Sequence, residues 1–184
     1  MTENIEKYIA DSLVNGRICR FNKSNVFIFV TPISAMISEA EKQDYCFALT
    51  KAVEIWNRYA PVRFEITENQ TSADIVVIWT RAGIKFEGMC KFRSIIASEI
   101  RAVTIEIGLP NPNSPKIINK NTILHTFLHE LGHAMGLGHG VDENDLMFVP
   151  HKKTLSMPSE NDLFVLKYLY SQPVGTHLTV SFSY

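Results

Sequence analysis

The chemistry of this chain is decided by residues 129–139, which read His-Glu-Leu-Gly-His-Ala-Met-Gly-Leu-Gly-His. On an α-helix, His129 and His133 are four residues apart and lie on one face, so both rings can point at a single metal ion. Gly136 comes where the helix should end. Because glycine adopts a left-handed conformation at little cost, the chain can turn there and bring His139 back as a third ligand.

Glu130 follows the first ligand directly. It is rotated about 100° around the helix axis, off the ligand row but within reach of a water on the metal. Three imidazole ligands leave the fourth position of a zinc ion open, and such an ion polarises a carbonyl and lowers the pKa of bound water towards about 7. The stretch therefore predicts metal-assisted hydrolysis, with Glu130 as the general base.

Two other interpretations of this stretch are less favoured. Coincidence is rare, about one chain in 10⁵, because five positions of the pattern are fixed. A structural zinc site usually has four ligands and is rich in cysteine, and no cysteine lies in residues 129–139. A catalytic site is favoured, with a structural zinc as the remaining alternative.

The stretch resembles the extended zinc signature of the metzincin metallopeptidases, and its surroundings resemble the matrixin branch. Residues 145–150, Asp-Leu-Met-Phe-Val-Pro, look like the matrixin Met-turn, in which Met147 would form an apolar floor under the three ligands. Residues 159–168 look like the last helix of the family, with Asp162 at the acidic position that supports the Met-turn backbone. The resemblance covers about residues 20–171 and is strongest to bacterial matrixin-like peptidases.

This resemblance implies an α/β (α+β) fold of the metzincin zincin type. Its parts would be a mixed five-stranded sheet, a long packing helix, the zinc helix and a small C-terminal subdomain with the Met-turn and last helix. It divides the chain into an N-terminal helical extension (1–20), a catalytic domain (21–171) and a C-terminal tail (172–184). The subdomains of the catalytic domain would be residues 21–138 and 139–171.

The resemblance also implies where a peptide substrate would lie. In matrixins an edge strand runs along the cleft, which here would allow the backbone of Gly88, Met89 and Cys90 to pair with substrate. The Met-turn and the residues after it would form one wall of the pocket for the side chain after the cut bond, with an apolar preference. The wall residues are Phe148, Val149 and Pro150.

The implied function is a zinc-dependent endopeptidase that hydrolyses extended protein or peptide substrates by metal-activated water. The alternative is a catalytically idle or latent zinc-containing module that binds peptides or regulates. Cys19 resembles a cysteine switch that would block the zinc, although an ordinary half-buried cysteine is favoured because the family's propeptide pattern is missing around it.

The chain departs from the matrixin pattern at three places. Gly140 stands where matrixins usually carry Ser or Thr, and Val149 separates Phe148 from the expected proline. The loop from Arg81 to Phe92 lacks the Asp and His residues by which animal matrixins hold further metal ions. We therefore expect one catalytic zinc, with no second zinc and no calcium.

Hydrophobic periodicity predicts most of the helices and strands. It predicts strands at 26–31, 62–67, 74–80 and 101–107, with strand 74–80 buried on both faces. Residues 176–184 alternate apolar and polar side chains, as a strand or a tail would. A first helix is predicted from Glu3 to Val14, and the zinc helix is predicted to start at Asn121 or Thr122. Between them, a long helix is predicted to end near Tyr59. Its core stripe consists of Tyr45, Leu49, Ala52, Trp56 and Tyr59.

Composition adds limits on the partners of the chain. The 184 residues are 46% apolar and 20% charged with a net charge of −1, which predicts one soluble domain and gives no electrostatic case for nucleic acid. No apolar run reaches the roughly 18 residues of a membrane span. No signal peptide is recognised in the given chain, so the compartment stays open, with secretion or a periplasmic location possible if the N-terminus is truncated. We expect a monomer.

The remaining histidines are predicted to lie outside the metal site. His151 and His177 are expected at the surface, and His125 is expected to be partly exposed on the zinc helix.

Overall fold

The computed structural model describes residues 2–33, 37–81, 87–110, 118–150 and 155–179. No helix within these residues is long and apolar enough to cross a membrane. The helices are α1 (Glu3–Asp11), α2 (Glu39–Tyr59), α3 (Lys120–Ala134) and α4 (Glu160–Ser171). The strands are β1 (Leu13–Val14), β2 (Arg17–Ile18), β3 (Asn25–Val30), β4 (Arg63–Thr67), β5 (Ile75–Arg81), β6 (Gly88–Ile96) and β7 (Glu99–Leu109).

The mixed five-stranded sheet implied by the resemblance is confirmed. Its strand order is β4-β3-β5-β7-β6, with the first four strands parallel and β6 antiparallel to β7. Strand β6 therefore forms one edge of the sheet, and α3 packs against it. This places the helix with the zinc signature beside an edge strand.

The sheet is covered most fully on the face that carries α2 and α3. Ile75 and Val77 on this face of β5 are completely buried. The ring of Trp79 contacts the Phe127 ring of α3 edge-on, with 6.3 Å between the ring centroids. Val76, on the opposite face, is only half-buried. The prediction that this strand is fully buried on both faces is therefore wrong, because both long helices lie on one side.

Helix α2 is fixed at its start and along its apolar stripe. Ser38 and Glu41 form a capping box at its N-terminus. The indole N–H of Trp56 donates to the Leu128 carbonyl of α3 at 2.9 Å. Tyr59 is 38% exposed, so its assignment to the core stripe is wrong; it is the last residue of the helix, where the packing ends.

Two predicted helix ends are also corrected. Helix α1 stops at Asp11 because Asn15 and Gly16, both with positive φ, turn the chain into the β1–β2 hairpin. Helix α3 begins at Lys120 rather than at Asn121 or Thr122, since the cap is Asn119, whose side chain accepts from the Thr122 N–H at 3.0 Å.

The segment after α4 packs against this hairpin. The Thr176 carbonyl accepts from the Ile18 N–H, and the Leu178 N–H donates to the Gly16 carbonyl, both at 3.0 Å. His177 is exposed, as predicted. Residues 180–184 lie outside the described residues, and the proposed boundaries of extension, catalytic domain and tail stay predictions.

The hydroxyl of Tyr45 provides a test of how α2 is held on the sheet. It is buried and donates to the Gly108 carbonyl at 2.7 Å. Replacing Tyr45 by Phe leaves that carbonyl without this donor, so we expect the free energy of unfolding in denaturant to fall by about 1–2 kcal/mol. Tyr59→Phe on the same helix is the control and should change it by less than about 0.5 kcal/mol. Equal effects of the two substitutions would contradict this account.

Candidate metal centre

Three histidine rings lie close together at the C-terminal end of α3. His129 and His133 project from the helix, and His139 follows the turn after it. The ring centroids of His129 and His133 are 4.6 Å apart, and those of His133 and His139 are 4.8 Å apart. One ligand atom from each ring lies within 4.8 Å of the other two, which makes this group, among the described residues, able to hold a metal ion.

Backbone carbonyls fix which ring nitrogen of two ligands faces the metal. Nδ1 of His129 lies 3.1 Å from the Leu146 carbonyl, and Nδ1 of His133 lies 2.8 Å from the Leu137 carbonyl. A carbonyl can only accept, so Nδ1 must carry the proton in both rings and Nε2 the lone pair. Neutral imidazoles held in this tautomer are the donors that zinc prefers, so the residues present fit the ion.

The turn between α3 and the third histidine depends on a glycine. Gly136 has a φ of +102°, and a Cβ added there would lie 2.5 Å from the Cys19 carbonyl oxygen. Both the conformation and the lack of space exclude a side chain. The left-handed conformation of Gly136 is predicted from the sequence. The lack of space is not, because Cys19 belongs to a distant part of the chain.

Glu130 lies in the same cleft and is 4% exposed. Burial raises its pKa to about 8, and the hydrogen bond that its carboxylate accepts from the Cys90 N–H opposes this rise. A divalent cation bound by the neighbouring rings would favour the carboxylate and so lower this pKa.

A cleft of about 340 Å³ contains these groups, and β6 forms its other side. Its lining residues are Gly88, Met89, Cys90, Phe92, His129, Glu130, His133 and His139. The three edge-strand residues that the resemblance pointed to therefore lie beside Glu130 and the histidines. The strand and the helix are almost in contact, since a Cβ added at Gly88 would lie 2.5 Å from Thr126 and 2.7 Å from the Glu130 carboxylate.

The other suggested substrate residues are not among those lining this cleft. Phe148 is half-buried and forms an isolated bridge with Gly140, the residue after the third histidine. Val149 is 48% exposed, and Pro150 is also exposed. His151, predicted at the surface, lies outside the described residues.

Met147 is completely buried directly behind α3. A Cβ added at Gly132 would lie 2.5 Å from its sulfur, so the turn packs against the helix backbone. The backbone of the turn is held by Asp162, which is buried and accepts from the Leu146 N–H at 2.8 Å. The same Leu146 offers its carbonyl to His129, so the turn and the first ligand are linked.

Several polar contacts at the site were missed by sequence reasoning. Asp145 is 1% exposed and accepts from the Ser159 hydroxyl at 2.7 Å. A Cβ added at Gly140 would lie 2.6 Å from the Asp145 side chain, which explains why this chain has glycine there. The Tyr8 hydroxyl donates to Asp162 at 2.7 Å. Tyr8 and Asp162 are 154 positions apart, so no local pattern could have connected them.

Two predictions about single residues are corrected. His125 is 2% exposed rather than partly exposed, and its Nδ1 lies 2.9 Å from the carbonyl of Leu155, which comes after the Met-turn in the chain. Cys19 is 4% exposed, so it is more buried than the half-buried cysteine that the sequence favours, and burial raises the pKa of its thiol. The three-histidine group, within the described residues, includes no cysteine.

The fold and this site are those of the metzincin type, to which the matrixin family of zinc metallopeptidases belongs. A family model of matrixins matches residues 22–171, and the chain belongs to the matrixin family. Recognition of the family from the zinc stretch and the Met-turn is thereby confirmed. Helix α1 and the β1–β2 hairpin precede the matched residues.

Substitution of Gly136 tests how the third ligand is placed. Gly136→Ala should destabilise the fold by at least about 1 kcal/mol and weaken Zn²⁺ binding by about tenfold or more, because the turn to His139 must shift. Zn²⁺ affinity would be measured by competition with a chromophoric chelator. Gly175→Ala is the matched control, since Gly175 has a φ of +79° but room for a Cβ. The control substitution Gly175→Ala should lower stability and leave the Zn²⁺ affinity unchanged. An unchanged Zn²⁺ affinity in Gly136→Ala would contradict the role of Gly136 in placing His139.

Proposed function

We propose that this matrixin is a zinc-dependent endopeptidase that hydrolyses extended peptide or protein substrates. The observation that carries the proposal is that Glu130 and the three histidines share one cleft with the backbone of an edge strand. A metal centre, a base and a surface for pairing with a peptide backbone are the three parts that such a reaction needs.

Strand β6 supports a substrate in the extended conformation. Because backbone groups alternate in direction along a strand, those of Cys90 and Phe92 point the same way, away from β7. The Cys90 N–H is taken by Glu130. The Cys90 carbonyl and the backbone of Phe92 are then the groups to which a peptide would hydrogen-bond as an added strand.

Glu130 is the residue that would move the proton. Zinc bound by the three imidazoles would polarise the scissile carbonyl and acidify the attacking water. The Glu130 carboxylate would accept the proton of that water and later pass it to the nitrogen of the leaving amine. The Cys90 N–H holds this carboxylate towards the cleft, and burial keeps bulk water from competing for it.

The pocket for the side chain after the cut bond is proposed beside the Met-turn. Phe148 pairs with the residue that follows His139, so its segment adjoins the third ligand. Val149 offers exposed apolar surface there, and Pro150 follows. These features support an apolar preference. The proposal also includes one zinc per chain and no further metal ion in the loop before β6. Residues 82–86 of that loop lie outside the described residues.

Replacing Glu130 by Gln tests the assignment of the base. The amide keeps the size of the side chain and still accepts a hydrogen bond, but it takes no proton at neutral pH. We expect kcat/KM for a library of unstructured peptides to fall by about 10²–10⁴, while zinc content stays at the wild-type value. Glu54→Gln on the exposed face of α2 is the control for the loss of one carboxylate and should keep full activity.

Two results would count against the proposal. Cleavage by Glu130→Gln at the wild-type rate would remove Glu130 from the mechanism. A wild-type protein that contains zinc and binds extended peptides, yet cleaves none of them, would favour the idle peptide-binding module instead.

A further inference from the structure

Residues that precede the family match contact the loop that carries the third histidine. The Asp11 carboxylate, at the end of α1, accepts from the backbone N–H of His139 at 2.5 Å. The Ser12 hydroxyl accepts from the backbone N–H of Gly138 at 2.8 Å. Two successive N–H groups of this loop therefore bind side chains of two successive residues from the N-terminal segment.

The same carboxylate faces the ring of His139. Asp11 Oδ2 lies 3.5 Å from His139 Nδ1, which is the position that backbone carbonyls occupy at His129 and His133. This distance is longer than an ordinary hydrogen bond. Because Asp11 also accepts from the backbone N–H of the same residue, its carboxylate is held beside the ring.

The two segments fit against each other without space for a side chain. A Cβ added at Gly138 would lie 2.4 Å from the Asp11 carbonyl carbon and 2.6 Å from its carboxylate. Helix α1 is anchored one turn earlier by buried Tyr8, which donates to Asp162 at 2.7 Å. Asp11 is thus presented to the loop by a helix that is fixed in the core.

We infer that Asp11 is a positioning residue for the metal centre, orienting His139 through its Nδ1 and its backbone N–H. The inference deepens the proposed function and rests on it only in taking His139 as a metal ligand. A carboxylate behind a ligating imidazole fixes its tautomer and raises its basicity, and loss of such a contact typically weakens metal binding 10–100-fold. The N-terminal segment, which the family match does not include, would in this way belong to the metal centre.

The test compares Zn²⁺ affinity in variants of the full chain. Asp11→Ala should bind Zn²⁺ about 10–100-fold more weakly than wild type in competition with a chromophoric chelator. Asp11→Asn should show a smaller loss, because its amide oxygen still accepts from the His139 N–H but carries no charge. Glu6→Gln removes a carboxylate from the same helix away from the cluster and should leave the affinity unchanged.

A second readout separates positioning from a general loss of stability. Affinity is measured at a temperature where circular dichroism shows every metal-free variant folded. The Co²⁺-substituted protein then reports on the ligand field directly. Its visible absorption should change in both Asp11 variants and stay the same in Glu6→Gln.

The inference would be overturned if folded Asp11→Ala and Asp11→Asn bound Zn²⁺ as wild type does, with unchanged Co²⁺ spectra. It would also be overturned by a wild-type protein that binds no Zn²⁺. A wild-type protein that binds Zn²⁺ but cleaves no peptide contradicts only the proposed peptidase, and the expected loss of affinity in the Asp11 variants would still support Asp11 as the positioning residue.

Discussion

The arrangement of this site depends on one constraint, which is that three imidazoles must present Nε2 to a common point. A histidine ring does so reliably only when its Nδ1 proton has an acceptor. The carbonyls of Leu146 and Leu137 occupy this position at His129 and His133, and the Asp11 carboxylate lies 3.5 Å from Nδ1 of His139. They come from the Met-turn, from the turn after α3 and from α1, so three separate parts of the fold must meet around the zinc helix.

Helix α3 can meet this constraint because two buried side chains from other parts of the chain pack closely against it at Gly132. A Cβ added at Gly132 would lie 2.5 Å from the Met147 sulfur and 3.5 Å from the Trp56 ring. The Met-turn and α2 therefore both approach the helix at Gly132. Trp56 and Met147 are completely buried, so both neighbours belong to the core. This close packing fixes the helix that supplies two of the histidines and Glu130.

The parts of the site that could be predicted from the sequence are those in which neighbouring residues act together. The spacing of His129 and His133 on one helix, and the glycine turn to His139, follow from local geometry alone. The contacts of Asp11 with His139 and of Tyr8 with Asp162 join residues 128 and 154 positions apart. No periodicity or spacing connects such pairs, because their proximity results from how the helices pack.

The predictions of the two helix ends were wrong for a different, local reason. The zinc helix was expected to start late because Asn121 and Thr122 are as good caps as Asn119 by residue type alone. The predicted α1 is too long because its apolar spacing continues to Leu13, whereas the helix already ends before the Asn15-Gly16 turn. In both cases a local signal existed but competed with another that was equally plausible.

The central claim is that three histidines bind one zinc ion and leave a coordination position for solvent. X-ray absorption spectroscopy at the zinc edge, together with metal analysis of the purified full chain, tests it most directly. The account predicts one zinc per chain, with three imidazole nitrogens and one further light atom as ligands. A zinc–sulfur distance of about 2.3 Å, or a fourth histidine in place of the solvent ligand, would contradict it.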